Sequence, residues 1–228
     1  LFFRIWVRFM TYRLYNSHAN SAGRRVRIAL HLKDIPFEYV SIDIAPPAEE
    51  HLGEEFGKIN PMRLIPALEH DGNVLIESMA ILDYLEDLHP EPSLYPADPL
   101  KKAQAKAFAM TVAAGMHPLH NMRVIKYLGQ ELALDQKAVA KWYVTWADKG
   151  LHALETLVSE NREEGPYCFG ANPSVADLFL VPQYANYQNL GLNLTLYPHL
   201  AVIVEACAAH PAFIKAAPEN QPDFPGDG

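Results

Sequence analysis

Cysteine is nearly absent from this chain. Two among 228 residues, Cys168 and Cys207, cannot supply a disulfide framework, so a reducing cytosol is the expected setting. They form no Cys-x-x-Cys pair, and no His-Glu-x-x-His run occurs among the 10 histidines. Metal chemistry therefore has no ligand spacing to build on. A glycine-rich phosphate loop is missing as well. Positive charge is in short supply: 19 Lys and Arg face 27 Asp and Glu, a net charge of −8. That balance argues against nucleic acid or an anionic membrane as partner. No stretch approaches the ~20 apolar residues needed to span a bilayer, and there is no internal repeat.

What is present is a large apolar fraction, 50% of the residues, enough for a sizeable core. The length fits two small domains or one larger one. The first nine residues, LFFRIWVRF, are apolar with two arginines and end just before Met10. They are too short for a targeting peptide and show no cleavage pattern. Translation from upstream of a start at Met10, or a cloning artefact, is the preferred reading, and they are left out of the fold.

Tyr12 to Tyr15 reads as a strand, Asn20 or Ser21 to Lys33 as a helix, and Phe37 to Ile42 as a second strand. Strand, helix, strand implies a parallel crossover. A short helix is expected around His51 to Phe56. Asp71-Gly72 is a strong hairpin signal between strands at Pro66 and Val74. A helix follows from Ser78, with Ile81, Leu82 and Leu85 at helical spacing. The prolines at 90, 92, 96 and 99 cannot continue it and read as a linker. Beyond them the pattern is helical: Lys101 to Tyr127, with a kink at Pro118, then Lys137 to Ser159, and Pro198 to His210. Ser174 and Asp177 make a near capping box before another helix. The expected fold is thus an α/β domain over 12–88, a mixed four-stranded sheet with helices, then a linker over 89–99 and an all-α domain over 100–217. Residues 1–11 and 218–228 are read as terminal extensions, the last as an extended surface segment.

The segment from Asn60 to Glu86 carries the chemistry. A proline that opens a strand needs no ladder donor. If Ile65-Pro66 is cis, the turn leaves the backbone groups of Ile65 free for an extended ligand. Ser78 is a good N-cap. The N–H groups and positive dipole at that helix start suit a carboxylate, and Glu77 suits an ammonium. A peptide-like ligand with an amino-acid head, such as glutathione, satisfies all three.

These residues also carry a resemblance. RVRIAL from Arg25, NPM..IPAL from Asn60, Glu77-Ser78, HPLHN from His117, VADLFLVPQ from Val175 and LTLYP from Leu194 occur in the order found in glutathione transferases. The chain resembles their zeta class, which includes the maleylacetoacetate and maleylpyruvate isomerases, from about Tyr12 to Pro225. The resemblance implies a thioredoxin-like glutathione-binding domain followed by a helical one, a cytoplasmic homodimer, and a place in aromatic amino acid catabolism. It implies glutathione as cofactor and a small electrophilic or unsaturated acid as substrate. The glutathione contacts it implies are Asn20, Ser21, His51, Ile65, Pro66, Glu77, Ser78, His117, Asn121 and Arg123.

Asn20 and Ser21 are the candidate catalytic residues. Either side chain can donate to a thiolate, and either can simply cap the helix; the two readings are compatible. By spacing alone His117 caps the kink at Pro118 and His51 is a surface histidine; the resemblance turns both toward glutathione. Asn121 follows His117 by one turn on the same face, with Arg123 beside it. Asp177 is expected to be structural, and Tyr167-Cys168-Phe169 to be core. The family's carboxylate-binding arginines correspond to Ala19 and Asn189 here, and its motif cysteine to Ala22. Arg123 and Arg24 are the candidate substitutes. The implied reaction is glutathione-dependent cis–trans isomerisation of a maleylacetoacetate-type diacid. Its rivals are conjugation or thiol–disulfide chemistry on a less charged substrate, and non-catalytic glutathione binding.

Overall fold

The computed structural model describes residues 12–161 and 164–226, so the segment ahead of Met10 lies outside the described residues. The chain divides into two compact units. One runs to Leu85 and takes in the chain again from Ala216; the other is Glu86–Lys215.

In the first unit β1 (Tyr12–Asn16) leads through α1 (Ser21–Leu32) to β2 (Phe37–Ser41). The two strands pair in parallel, from Tyr12 opposite Phe37 to Asn16 opposite Ser41. A 3₁₀ turn (Glu50–Leu52) and α2 (Glu54–Ile59) follow, then β3 (Ala67–His70), β4 (Asn73–Ile76) and α3 (Ser78–Leu88). The sheet order is β2-β1-β3-β4, with β3 antiparallel to both β1 and β4. Asp71 and Gly72 take φ values of 50° and 81°, the pair of positive angles that a type I′ hairpin needs.

Strand alternation gives the sheet two different faces. Tyr15 and Ala67 pack with Phe56 of α2 and with Ile65. Leu14 and Leu68 point the other way and are fully buried. On that face Tyr12 stacks on His70 at 4.2 Å, and His70 Nδ1 meets the Tyr84 hydroxyl of α3 at 2.7 Å. Asn16 lies there against α1. A Cβ on Gly23 would stand 1.8 Å from Asn16 Oδ1, so only glycine lets this turn of α1 approach the strand. Val26, Ile28, Ala29 and Leu30 of α1 are all fully buried.

The end of the chain differs from the expected surface extension. Pro218–Asn220 forms a 3₁₀ turn, Gln221 is buried, and Asp223 bonds to residues near the start of the chain. Polar side chains here find partners far away in sequence, which composition cannot reveal.

The second unit is helical: α4 (Pro99–Met110), α5 (His117–His120), α6 (Met122–Gln130), α7 (Gln136–Asn161), α8 (Val175–Asn189), α9 (Pro198–Ala208) and α10 (Pro211–Lys215). The proline-rich segment after α3 belongs to it. Leu94 and Tyr95 are buried, and the Leu94 carbonyl accepts the Val175 N–H at 2.8 Å. The single kinked helix expected over 101–127 is broken instead. A π-helical segment, Thr111–Met116, precedes Pro118, and the chain turns extended at Asn121 before α6. Pro118 has no N–H to donate and its ring crowds the preceding turn. Asn121 then restarts a helix as N-cap, accepting from the Arg123 N–H at 3.0 Å. Ser174 and Asp177 form the capping box. Asp177 also takes the Cys168 N–H at 2.9 Å, a structural role. Cys168 is fully buried between Tyr167 and Phe169. Among the described residues no helix is long and apolar enough to cross a membrane.

Candidate active site

Three chain segments of the first unit carry the groups that sequence reading singled out. The first is the start of α1. Asn20 is its N-cap, and the side-chain oxygen accepts the Gly23 N–H. That oxygen is committed to the helix, which leaves the amide N–H₂ as the donor. Ser21, the first helical residue, is buried. The helix therefore opens with a capping asparagine followed at once by a hydroxyl.

The second segment is the turn before β3. The Ile65-Pro66 bond is cis, and no hydrogen bond to the backbone of Ile65 is found among the described residues. Asn60, absent from the candidate residues, holds this turn. Its amide donates to the Leu64 carbonyl at 2.6 Å and its oxygen accepts the Met62 N–H at 2.9 Å. An asparagine just before a proline-containing turn was the available signal.

The third segment is the start of α3. Glu77 has a φ of 67°, and its carbonyl accepts the first helical bond from Ile81 at 3.0 Å. Glu77, not Ser78, therefore holds the cap position; Ser78 is the first helical residue. The Ser78 oxygen accepts from Arg25 Nη1 at 3.1 Å. With that lone pair occupied, the Ser78 hydroxyl can donate its own proton outward. Arg25 is 2% exposed. Burial pushes its pKa down to about 9, against the opposing pull of the Glu77 charge, so it stays charged at neutral pH. One buried guanidinium thus fastens the second turn of α1 to the first turn of α3. A charged residue on an amphipathic helix reads as solvated, so sequence reading missed it. His51 stands half-buried in the 3₁₀ turn Glu50–Leu52.

The remaining candidates belong to the helical unit. His117 opens α5 directly after the π-helical segment and is half-buried. Asn121 does not continue the face of His117, because the helix breaks there; its oxygen caps α6. Arg123 is exposed. His120, in the same motif, is core. It bonds to the Tyr143 carbonyl at 3.1 Å and the Tyr187 hydroxyl at 3.0 Å, and burial pushes its pKa down against that carbonyl bond.

Residues 14–93 match the family model of the glutathione S-transferase N-terminal domain. The chain is 38% identical over 211 residues to a maleylpyruvate isomerase of a Ralstonia species, covering 92% of this chain and 99% of the relative. This chain belongs to the zeta-class glutathione transferases. A solved structure of holo maleylpyruvate isomerase, described as a bacterial zeta-class enzyme, superposes with a TM-score of 0.89 at 38% identity, over 93% of this chain and all (100%) of the other. A maleylacetoacetate isomerase of Anaeromyxobacter dehalogenans, solved with glutathione in its active site, superposes with a TM-score of 0.84 at 39% identity, over 95% and 99% of the two chains.

This zeta-class chain departs from the expected pattern at the arginines. Ala19 and Asn189 are both exposed, with no charge to offer a carboxylate. Arg24, a candidate substitute, is the charged residue nearest in sequence to Ala19. It is half-buried, and its pKa is lowered by burial against the opposing charge of Glu219.

Proposed function

We propose that this zeta-class chain binds glutathione on its first unit and uses the thiolate to isomerise the cis double bond of a small maleyl-type acid. The observation that carries the reading is the start of α3. There Glu77, held at positive φ, and Ser78, backed by Arg25, offer a carboxylate and a hydroxyl donor side by side. An amino-acid head group needs one acceptor for its ammonium and donors for its carboxylate. The open backbone of Ile65 suits the peptide portion, as in strand addition. The sulfur then belongs at the start of α1, where Asn20 or Ser21 and the helix dipole favour the thiolate over the thiol.

The chemistry follows from that placement. The thiolate adds to the activated double bond and electron density moves into the adjoining carbonyl as an enolate. The former double bond is now single and rotates. Collapse of the enolate expels the thiolate and leaves the trans isomer, so glutathione is regenerated. His51, His117, Asn121 and Arg123 are proposed as further contacts, and the working form as a cytoplasmic homodimer. Leu100, Met122 and Tyr127 are exposed at 66%, 62% and 56% and could pack against a second copy. Sedimentation at micromolar protein should then give one species of twice the 25.6 kDa chain mass; a single species at the chain mass sinks the dimer.

A second reading has its own support. With Ala19 and Asn189 uncharged and Arg24 half-buried, a less charged substrate for conjugation fits the arginine content better. Steady-state rates with maleylacetoacetate, maleylpyruvate and an aryl halide separate the readings. Faster turnover of the maleyl compounds supports isomerisation, turnover of the halide alone supports conjugation, and neither with glutathione bound leaves a binding protein.

A further inference from the structure

The chain end from Ala216 packs into the first unit, and its polar contacts tie together the loop that joins β1 to α1, the strand β2 and Arg27 of α1. Asp223 Oδ2 accepts the His18 N–H at 2.9 Å and the Ser41 hydroxyl at 3.2 Å, and its Oδ1 accepts the Tyr39 hydroxyl at 2.8 Å. The His18 ring stands edge-on to Phe224, with centroids 5.4 Å apart. From the other side comes Arg27 of α1, which is 0% exposed. Its Nη1 donates to the Ser17 carbonyl at 3.0 Å and its Nη2 to the His18 carbonyl at 3.2 Å. Nε and Nη2 both reach the Ala216 carbonyl, at 3.2 and 3.1 Å. The Ser17-His18 peptide is thus gripped at its carbonyls by α1 and at an N–H by the chain end. Two residues further on stands Asn20, whose own N–H returns to the Ser17 carbonyl at 3.0 Å.

We infer that the C-terminal segment is a working part of the glutathione site: Asp223 and Arg27 are positioning residues that set where Asn20 and Ser21 stand relative to the glutathione sulfur. The inference rests on the reading of the α1 start as the thiol site. Neither residue touches the ligand. They act through the loop, whose backbone has no strand or helix of its own to hold it. A carboxylate that accepts from one backbone N–H and two hydroxyls makes charge-assisted bonds. Burial pushes the Asp223 pKa up, but the bonds from His18 and Tyr39 outweigh it and hold the group below the usual carboxylate range. The groups facing it are His18, with Nδ1 at 3.6 Å, Tyr39, and the Arg27 charge. The Arg24 charge opposes that of Arg27, and the charge of Glu219 favours charged Arg24.

The test uses the full chain and glutathione itself. Calorimetry gives affinity, and the ultraviolet thiolate band of bound glutathione gives the thiol pKa. D223A should raise that pKa while affinity changes little, because the head group is held at α3. The kcat/KM at neutral pH should fall about tenfold, since a small misplacement of a reacting group costs on that order or more, and should recover in alkali. D223E, which keeps the charge, should restore part of the shift. A merely structural role would lower stability and leave the thiol titration alone. A folded D223A with unchanged titration and kcat/KM overturns the inference. Should D223A fail to fold, Y39F and S41A each remove one bond to the carboxylate. A shifted thiol pKa in either supports the inference, and no shift in both overturns it. Wild-type protein that binds no glutathione overturns the site reading and this inference with it. Wild-type binding with unshifted variants overturns this inference alone.

Discussion

Arg25 and Arg27 stand two residues apart on α1, both buried, and hold different parts of the first unit. At 3.6 residues per turn they leave the helix on different faces. Arg25 meets the Ser78 oxygen and the charge of Glu77. Arg27 meets the backbone carbonyls of Ser17, His18 and Ala216. Removing a charge from water costs several kcal/mol, so each must find fixed partners. The partners show what each one serves. Carbonyls from distant segments make Arg27 a tie between the β1–α1 loop and the chain end. A hydroxyl and a carboxylate at an open helix start make Arg25 a support for ligand-facing groups.

Methionine at each position should break the comparison most sharply. R27M leaves the His18 and Ala216 carbonyls without their guanidinium donor and should cost about 1–3 kcal/mol of stability for each carbonyl left unsatisfied. R25M should cost less stability and more glutathione affinity. Urea denaturation with calorimetry on both variants checks this. Equal losses of both quantities would mean that the two arginines are interchangeable props.

E77G tests the ligand-facing side most directly. Loss of a charged hydrogen bond to an ammonium should weaken glutathione binding by about 1.5–3 kcal/mol. On stability two effects oppose: a φ of 67° suits glycine better than glutamate, while the buried Arg25 loses the favourable charge of Glu77. A folded E77G with wild-type affinity removes the head-group assignment.

The helical unit offers a milder contrast. His120 is buried like the arginines, but it can shed its proton, and burial pushes its pKa below 6.5 against the pull of the Tyr143 carbonyl. As pH falls through the unfolded value near 6.5, the unfolded chain takes up the proton first. The His120 contribution is therefore complete above that pH and is lost progressively below it. H120Q should flatten the acid limb of thermal stability below about pH 6.5. An unchanged limb would place the titration elsewhere.

Much of this was legible in the residues. The Asp71-Gly72 hairpin, the β1–α1–β2 crossover and the Ser174–Asp177 box are local patterns, each fixed by residues a few positions apart. The turn at Ile65-Pro66 and the pairing of Glu77 with Ser78 were legible for the same reason. The choice between Asn20 and Ser21 as cap was not, because both types cap equally well; the backbone made Asn20 the cap. The break at Asn121 was hidden as well. A proline signals a kink or a stop, and which one follows depends on what the freed groups can pair with.

The sequence by itself determined the elements, their order, the family, and the residue types gathered at the start of α1, before β3 and at the start of α3. Short-range periodicity and turn chemistry suffice for that. Only the tertiary structure decided what becomes of the buried charges. Arg25, Arg27 and Asp223 look solvated in sequence, because nothing within a few residues pairs with them. Their partners come from segments as far apart as Ser17 and Ala216, and only the folded backbone brings those carbonyls and N–H groups within reach of one guanidinium and one carboxylate.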